Sequence, residues 1–314
     1  MILCSIVFVA CPRKEPPVDP EPPIHEELEL WRFIPFSQGN LLATLPGNAS
    51  IQITGTLPRL DGATALYPVY AAFVQATYPA TENYTDQERG VVRITTTPNA
   101  FINLINGNVD IIFTAPPSQA QIAAATEKGK TFHSTAIGRD AFVFFVNKSN
   151  PVNSLTIEQI QGIYSGRITN WSQVGGENIE IIAYQRLPNS GSQTALESIM
   201  GDIPLMKPPV DRWTEAMGMI IEQVSGFRNH GNAIGFSFLY YASQMVKNNE
   251  IKFLAIHGIP PTRETIRSGQ YPFSDSFFAI TTGNETDNMK KLIEWILSDE
   301  GQYLIDKTGY VPIK

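Results

Sequence analysis

Residues with oxyanion-binding chemistry cluster near the middle of the chain. They carry a guanidinium, two hydroxyls and a backbone without a side chain: Arg186, Ser190, Gly191 and Ser192. A planar guanidinium suits the geometry of an oxyanion, hydroxyls donate hydrogen bonds, and glycine lets the backbone approach a ligand closely. Their spacing therefore predicts an anion-binding loop.

The elements around this loop support the same interpretation. Residues 181–185 predict a buried strand, residues 188–191 carry a turn signal, and residues 194–200 have apolar positions at helical spacing. A strand, a polar loop and a helix in this order direct the unpaired N–H groups and the positive end of the helix dipole at the loop. The alternative is a capped helix without a ligand, since serine is common at helix N-caps.

A second stretch of the same form lies earlier in the chain. Residues 60–70 run from a small-residue loop into a predicted helix. The Thr64 hydroxyl and the N–H of Ala65 are placed as donors at the N-terminus of that helix. This stretch is therefore a second candidate for binding an anion.

Predicted strands and helices alternate over most of the chain. Residues 91–95 and 109–114 predict strands, residues 96–99 a loop, and residues 100–106 a helix. Residues 141–146 form a continuous apolar run that is typical of a fully buried central strand. This alternation indicates an α/β fold with mainly parallel sheets.

The composition excludes several classes of function. The net charge is −7 over 314 residues, which argues against a nucleic-acid partner because phosphate backbones require a basic surface. The two cysteines, Cys4 and Cys11, both precede the folded body, and the four histidines lie far apart in sequence. Neither a disulfide framework nor a metal site is predicted. We expect no cofactor.

The N-terminus has the pattern of an export signal. Residues 1–10 are apolar or small, as in the central region of a secretory signal, and they end at Cys11 in a sequence similar to a bacterial lipobox. Residues 12–30 are proline-rich and acidic, which is typical of an extended tether. The sequence therefore predicts that residues 1–11 are a signal segment with a lipobox, and that Cys11 becomes lipid-modified after cleavage; the alternative is an apolar N-terminus without this role.

Several of these segments, taken in order, resemble one family. The matching segments are residues 61–68, Thr97, residues 155–171, residues 186–192, residues 232–237 and residues 271–274. With them the chain resembles the substrate-binding proteins of phosphate ABC transporters, the phosphate-binding branch of the type II periplasmic solute-binding proteins. The resemblance extends from Asp61 to the C-terminus.

The resemblance implies a periplasmic-binding-protein-like α/β fold with two lobes and a cleft between them. Residues 31–146 with 271–314 would form one lobe, and residues 147–270 the other. The two crossover strands of the hinge would include residues 142–146 and 277–281.

The resemblance also implies a site and partners. The anion would accept hydrogen bonds from the ends of three helices and from a fixed positive charge, and the residues concerned are Thr64, Ala65, Thr97, Arg186, Ser190, Gly191 and Ser192. The ligand would be inorganic phosphate or a related tetrahedral oxyanion, delivered to the transmembrane subunits of an ABC permease. The protein would be an extracytoplasmic, lipid-anchored monomer.

One departure from the family concerns anion selectivity. The family carries an aspartate after the strand that begins near residue 109, where it accepts a hydrogen bond from protonated phosphate. This chain has Ala115 at that position. Asp61, beside the first loop, is the candidate to replace it.

Two other functions compete with transport. A surface sensor or adhesion module would keep the fold and bind another ligand. A serine hydrolase would use Ser190 or Ser192, but the sequence lacks the G-x-S-x-G elbow that positions such a nucleophile. We therefore expect a binding protein and not an enzyme.

Overall fold

Strands and helices alternate along the chain, as the sequence predicts. The computed structural model describes residues 29–80, 84, 90–209, 212–214, 216–226 and 231–313. The helices are α1 (Tyr67–Thr77), α2 (Thr96–Ile105), α3 (Gln119–Glu127), α4 (Ile157–Tyr164), α5 (Gly191–Met200), α6 (Met217–Ser225), α7 (Arg263–Arg267), α8 (Asp287–Ile296) and α9 (Asp299–Thr308). Short 3-10 turns occupy Leu30–Phe33, Thr64–Leu66 and Trp171–Val174, and a π-helical segment occupies Tyr241–Val246. The predicted signal segment with Cys11 lies outside the described residues.

Twelve strands are assigned in the described ranges. They are β1 (Leu60–Gly62), β2 (Ile111–Thr114), β3 (His133–Asn147), β4 (Ser154–Leu155), β5 (Ile182–Ala183), β6 (Gln185–Arg186), β7 (Trp213–Thr214), β8 (Ala233–Phe238), β9 (Ile251–Phe253), β10 (Ala255–Ile256), β11 (Ser274–Thr281) and β12 (Val311–Pro312). Eight of them form one sheet in the order β1-β2-β11-β3-β8-β5, with β9 and β12 also pairing with β3. The remaining four form the parallel pairs β4–β10 and β6–β7.

The large sheet contains both parallel and antiparallel strand pairs. β1 pairs in parallel with β2, and β5 with β8. The antiparallel pairs of the described chain each include β3 or β11. The predicted α/β fold is confirmed, and its antiparallel pairs arise at the long strands that connect the two halves of the sheet.

β3 crosses from one half of the molecule to the other. Its residues 133–141 pair with β11, whereas residues 142–147 pair with β8 and β9. The predicted crossover residues 142–146 therefore lie in the second half of β3. Residues 277–281 lie within β11 beside β2 and the first part of β3, so the return crossing occurs just before them, where the chain enters β11.

Two large apolar cores define the two halves, which we call the first and second lobes, and a smaller third cluster packs α2 against β2 and β11 in the first lobe. The first core surrounds α1, α8 and α9, with Phe73, Trp295 and Leu304 buried in it. The second surrounds α4 and α6 and the β3–β8 pair, with Phe144 and Trp171 at its centre. The residue at which one lobe gives way to the other stays a prediction.

Two local predictions between β1 and β2 are wrong. Residues 91–95 form no strand, and only Val92 makes a bridge, to Leu60. Residues 96–99 are the first turn of α2 and not a loop. Pro98 is compatible with this because the first turn of a helix has no need of its N–H group. The change places Thr97 at a helix N-terminus.

Candidate anion-binding site

We call the predicted anion-binding loop, residues 186–192, the anion loop. Hydrogen bonds between the strand before it and the helix after it hold it in place. Arg186 ends β6, and α5 begins at Gly191 with Ser190 as its N-cap. The Ser190 hydroxyl accepts a hydrogen bond from the N–H of Gln193 at 3.3 Å, and the Gln193 side chain accepts one from the N–H of Arg186 at 2.9 Å. Gln193, which the sequence reasoning missed, thereby fixes the strand against the helix.

Arg186 is a buried cation without a protein counter-charge in the described part of the chain. It is 7% exposed, and its Nε and Nη1 atoms donate no hydrogen bond to any described residue. Burial lowers the pKa of Arg186 to about 10, with a weaker opposing effect from the Tyr241 hydroxyl. An unpaired buried charge is strongly unfavourable unless a ligand compensates it. The guanidinium is therefore a candidate to pair with an anion.

Two hydroxyls of α5 have the same unpaired character. Ser192 is fully buried, and neither its Oγ nor the Oγ1 of Thr194 makes a hydrogen bond within the described residues. Buried hydroxyls are nearly always paired, so unpaired ones on the first turns of one helix indicate a missing acceptor. Thr194 was not predicted, because a threonine inside a helix carries no sequence signal for ligand binding.

The first lobe contributes the other two predicted loops. The turn Thr64–Leu66 follows β1 directly and leads into α1, which places Thr64 and the N–H of Ala65 at the start of a helix. Ala65 is held in place because its carbonyl accepts the hydroxyl of Tyr310. Thr97 lies in the first turn of α2 and is buried. Both loops of the first lobe thus place their predicted contacts at a helix N-terminus, where anions bind favourably.

The two lobes meet at these residues. A Cβ atom placed on Gly191 would lie 3.2 Å from Thr97 Oγ1 and 3.8 Å from the Cβ of Ala115. Glycine thus permits the anion loop of the second lobe to contact α2 of the first lobe closely. The structure consequently brings Thr97 and Gly191 together across the cleft.

A cavity of about 640 Å³ between the lobes adjoins this contact. Three predicted residues, Ala65, Thr97 and Gly191, are among those that line it, together with Thr194. The lining also includes Ala115, at the position where an aspartate is expected from the family pattern. Arg186, Ser190 and Ser192 are buried and are not among the lining residues.

Asp61 is committed to hydrogen bonds within the first lobe. It is fully buried, and its carboxylate accepts the N–H groups of Gly62 and Thr95 at 2.8 and 3.0 Å. It also accepts the Thr95 hydroxyl at 2.6 Å and the Asn103 amide at 2.9 Å. Asp61 is not among the cavity-lining residues. These contacts connect β1 to α2 and do not favour the role of anion acceptor.

Asp140 is a carboxylate in the cavity wall that the sequence reasoning missed. It lies on β3, where its Oδ1 accepts the N–H of Ala141 at 2.8 Å and both oxygens lie 3.4 Å from the N–H of Tyr240. Burial raises the pKa of Asp140 to about 7, although these two N–H groups act in the opposite direction. No sequence pattern marks this residue, since its environment comes from β8 and β11.

Within the described ranges, no group of three or more histidine, cysteine, aspartate or glutamate residues is placed to hold a metal ion. The helices of the same ranges are too short or too polar to span a membrane. The candidate residues supply hydrogen-bond donors and one positive charge, which is the chemistry that an anion requires.

Together, these observations describe a two-lobed α/β protein with a candidate anion-binding site between its lobes. The PBP superfamily domain matches residues 51–300, and the chain therefore belongs to that family. Two solved structures share the fold, each at 24% identity. They are an ABC-type phosphate transport receptor from Vibrio cholerae (TM-score 0.62, covering 82% of this chain and 100% of that one) and a phosphate ABC transporter substrate-binding protein from Clostridium perfringens (TM-score 0.64, covering 81% and 98%).

Curated relatives include proteins named phosphate-binding protein PstS. The Borreliella burgdorferi protein is 24% identical over 185 residues, which cover 57% of this chain and 66% of the relative. The Staphylococcus epidermidis protein (strain RP62A) is 29% identical over 221 residues, which cover 67% of this chain and 66% of the relative. The chain thus matches just under two thirds of the length of these relatives.

Proposed function

We propose that this chain is an extracytoplasmic receptor that captures inorganic phosphate, or a closely related tetrahedral oxyanion, and delivers it to an ABC permease. The observation that carries the proposal is a set of buried donors without partners among the described residues: Nε and Nη1 of Arg186, at the end of β6, and the hydroxyls of Ser192 and Thr194 on the α5 helix that follows it. The names of the PstS relatives point to the same ligand.

The residues of the site have separate roles in this proposal. Arg186 provides the counter-charge, and the hydroxyls and N–H groups at the helix N-termini donate hydrogen bonds to the oxygens of the anion. These donors are Thr64, Ala65, Thr97, Ser190, Gly191 and Ser192, to which the structure adds Thr194 as a candidate. Ser190 can both cap α5 and donate its hydroxyl proton, because a hydroxyl accepts and donates at once.

The remaining parts of the proposal concern the setting of the protein. We propose that Cys11 carries a lipid anchor and that the protein acts as a monomer. The permease would recognise the loaded, closed form. The chain acts by binding and release, without catalysis; Ser190 serves as a helix cap rather than as a nucleophile.

Calorimetric titration of the full-length protein with phosphate and with sulfate, at pH 5 and pH 8, tests the proposal. We expect saturable phosphate binding with one anion per chain. Chloride at the same ionic strength is the control, since a site built for a tetrahedral oxyanion does not respond to it. Absence of binding by both oxyanions would reject the proposed ligand class.

A further inference from the structure

The N-terminus of α3, in the first lobe, contacts the anion loop of the second lobe. The Ser118 hydroxyl donates a hydrogen bond to Oδ1 of Asn189 at 2.9 Å. The Gln121 side-chain amide donates another to the carbonyl oxygen of Asn189 at 3.3 Å. Ser118 and Gln121 are both buried. One residue of the loop is therefore bonded across the cleft through both its side chain and its backbone.

The two donors are held in position by the capping of their own helix. The Ser118 hydroxyl accepts the N–H of Gln121 at 3.2 Å, and the Gln121 side chain accepts the N–H of Ser118 at 2.8 Å. This reciprocal pair is a capping box. Because the cap fixes both side chains before they reach Asn189, little conformational freedom is lost when the lobes come together.

Asn189 is suited to its position by its backbone conformation. Its φ angle is 64°, in the left-handed region that asparagine tolerates better than most residues. It directly precedes Ser190, the N-cap of α5, and the close contact of Gly191 with Thr97 follows one residue later. A contact that holds Asn189 thus also holds the start of α5 against the first lobe.

Building on the proposed function, we infer that Asn189, Ser118 and Gln121 form an interlobe clasp that positions the anion loop and slows the release of the bound anion. The two hydrogen bonds join different lobes, so they exist only while the cleft is closed at this point. A closed state that gains such contacts is more populated, and ligand leaves it less often. Asn189 acts here as a positioning residue, through the loop that follows it.

The clasp favours closure without enforcing it. One hydrogen bond of this kind changes an equilibrium constant by about fivefold. Arg186 is buried and unpaired among the described residues of this structure, and burial of an unpaired charge is more unfavourable than one or two hydrogen bonds are favourable. The clasp therefore stabilises the closed state mainly when an anion is present to pair with Arg186.

The test measures phosphate release from full-length protein carrying Asn189→Gly, Ser118→Ala or both. Glycine preserves the left-handed backbone at residue 189 while removing the side-chain acceptor. Asn284→Gly is the matched control, because Asn284 also has a left-handed φ of 58° but lies exposed in a loop after β11. Dissociation is followed by chasing radiolabelled phosphate with unlabelled phosphate, and association by mixing at several concentrations.

We expect Asn189→Gly and Ser118→Ala each to raise the dissociation rate about three- to tenfold, with association changed less than twofold. The double variant should release phosphate about as fast as the single variants, because both remove the same hydrogen bond. Asn284→Gly should behave as the wild type. A dissociation rate that Asn189→Gly leaves unchanged would overturn the clasp. So would a double variant whose increase in dissociation rate is the product of the two single increases.

Failure of the proposed ligand is distinguishable from failure of the clasp. If wild-type protein binds no phosphate, the proposed function fails, and the clasp is then judged by hydrogen exchange of residues 186–196 in the same variants. Faster exchange in Ser118→Ala than in the wild type, with no further increase in the double variant, would support the contact. Equal exchange in all four proteins would refute it.

Discussion

Replacing Arg186 with methionine is expected to weaken anion binding and to stabilise the anion-free protein. Methionine keeps an unbranched side chain of similar reach but removes the charge and the donors. Among the residues that the structure describes, Nε and Nη1 of Arg186 find no hydrogen-bond partner, and the residue is 7% exposed. The wild-type protein therefore carries a charge that is unfavourable for folding and favourable only when an anion is bound.

The size of both effects follows from the burial of the guanidinium. Desolvation lowers the pKa of Arg186 to about 10. Since a difference of one in pKa corresponds to about 1.36 kcal/mol, this burial penalises the charged form by about 3 kcal/mol. We expect the unfolding free energy of the anion-free variant to rise by about 1–3 kcal/mol. Loss of the counter-charge should weaken phosphate binding by about 3–5 kcal/mol, or more than 100-fold.

Thermal unfolding with and without phosphate measures both effects in one experiment. A ligand that binds only the folded protein raises the unfolding free energy by RT ln(1 + [L]/Kd). The wild-type protein should therefore gain stability as phosphate is added, whereas Arg186→Met should begin more stable and gain almost nothing. Arg167→Met is the control, because Arg167 lies exposed in the second lobe and should change neither quantity.

Two results would refute this reasoning. If Arg186→Met bound phosphate as tightly as the wild type does, Arg186 would not be part of the site. A variant that is less stable than the wild type without anion would mean that the guanidinium is compensated within the protein, and that its unpaired atoms do not indicate a ligand.

Two further changes test the hydroxyl donors and the cavity carboxylate. Ser192→Ala should weaken phosphate binding about tenfold in calorimetry and leave the anion-free melting temperature unchanged, because the hydroxyl has no partner among the described residues; a fall in melting temperature would contradict this. The unfolding free energy of the wild type should fall as the pH rises because of Asp140, and Asp140→Asn should abolish this fall. The folded-state pKa of about 7 lies above the ordinary value, so the folded protein retains a proton that the unfolded chain releases, and stability falls between about pH 4 and pH 7. Compared with the wild type, Asp140→Asn should be more stable at pH 8 than it is at pH 4. If the difference in unfolding free energy between the two proteins is the same at both pH values, the assignment of the raised pKa to Asp140 is contradicted.

The sequence predicts those parts of the site in which one local pattern specifies both conformation and chemistry. Arg186, Ser190 and Gly191 lie within a few residues of each other, and a strand, a turn and a helix in order place them at a helix N-terminus wherever the loop lies in the fold. The structure has this local arrangement, with α5 beginning at Gly191. The long apolar run of β3 was likewise recognisable, because a strand buried on both faces is apolar throughout.

Residues whose role depends on distant partners were not predictable. Asp140 is a cavity carboxylate only because β3 crosses between the lobes, and Ser118 contacts Asn189 only because the cleft is closed. The short stretch around Val92 shows the opposite error. Its β-branched residues predict a strand, but only one of them pairs with a neighbour. Strand propensity does not specify whether a partner is available.

Ala115 allows the selectivity of the site to be tested by restoring a carboxylate. It follows β2, lines the cavity and faces Gly191 across the cleft, whereas Asp61 is occupied inside the first lobe. The proposed anion contacts are hydrogen-bond donors, and donors alone do not distinguish phosphate from sulfate. A carboxylate would accept a hydrogen bond from the protonated oxygen of monohydrogen phosphate but repel sulfate, which has no proton to donate.

We therefore expect Ala115→Asp to raise the ratio of phosphate to sulfate affinity at least tenfold, mainly through weaker sulfate binding. Ala115→Asn has nearly the same shape without the charge and should leave the ratio close to that of the wild type. Competition calorimetry at pH 8 measures both affinities. If aspartate weakens the binding of phosphate and sulfate equally, its effect is general charge repulsion, and residue 115 does not determine which anion is bound. A shift in the ratio with aspartate alone would show that a single acceptor at this position is sufficient to impose selectivity on a site otherwise built of donors.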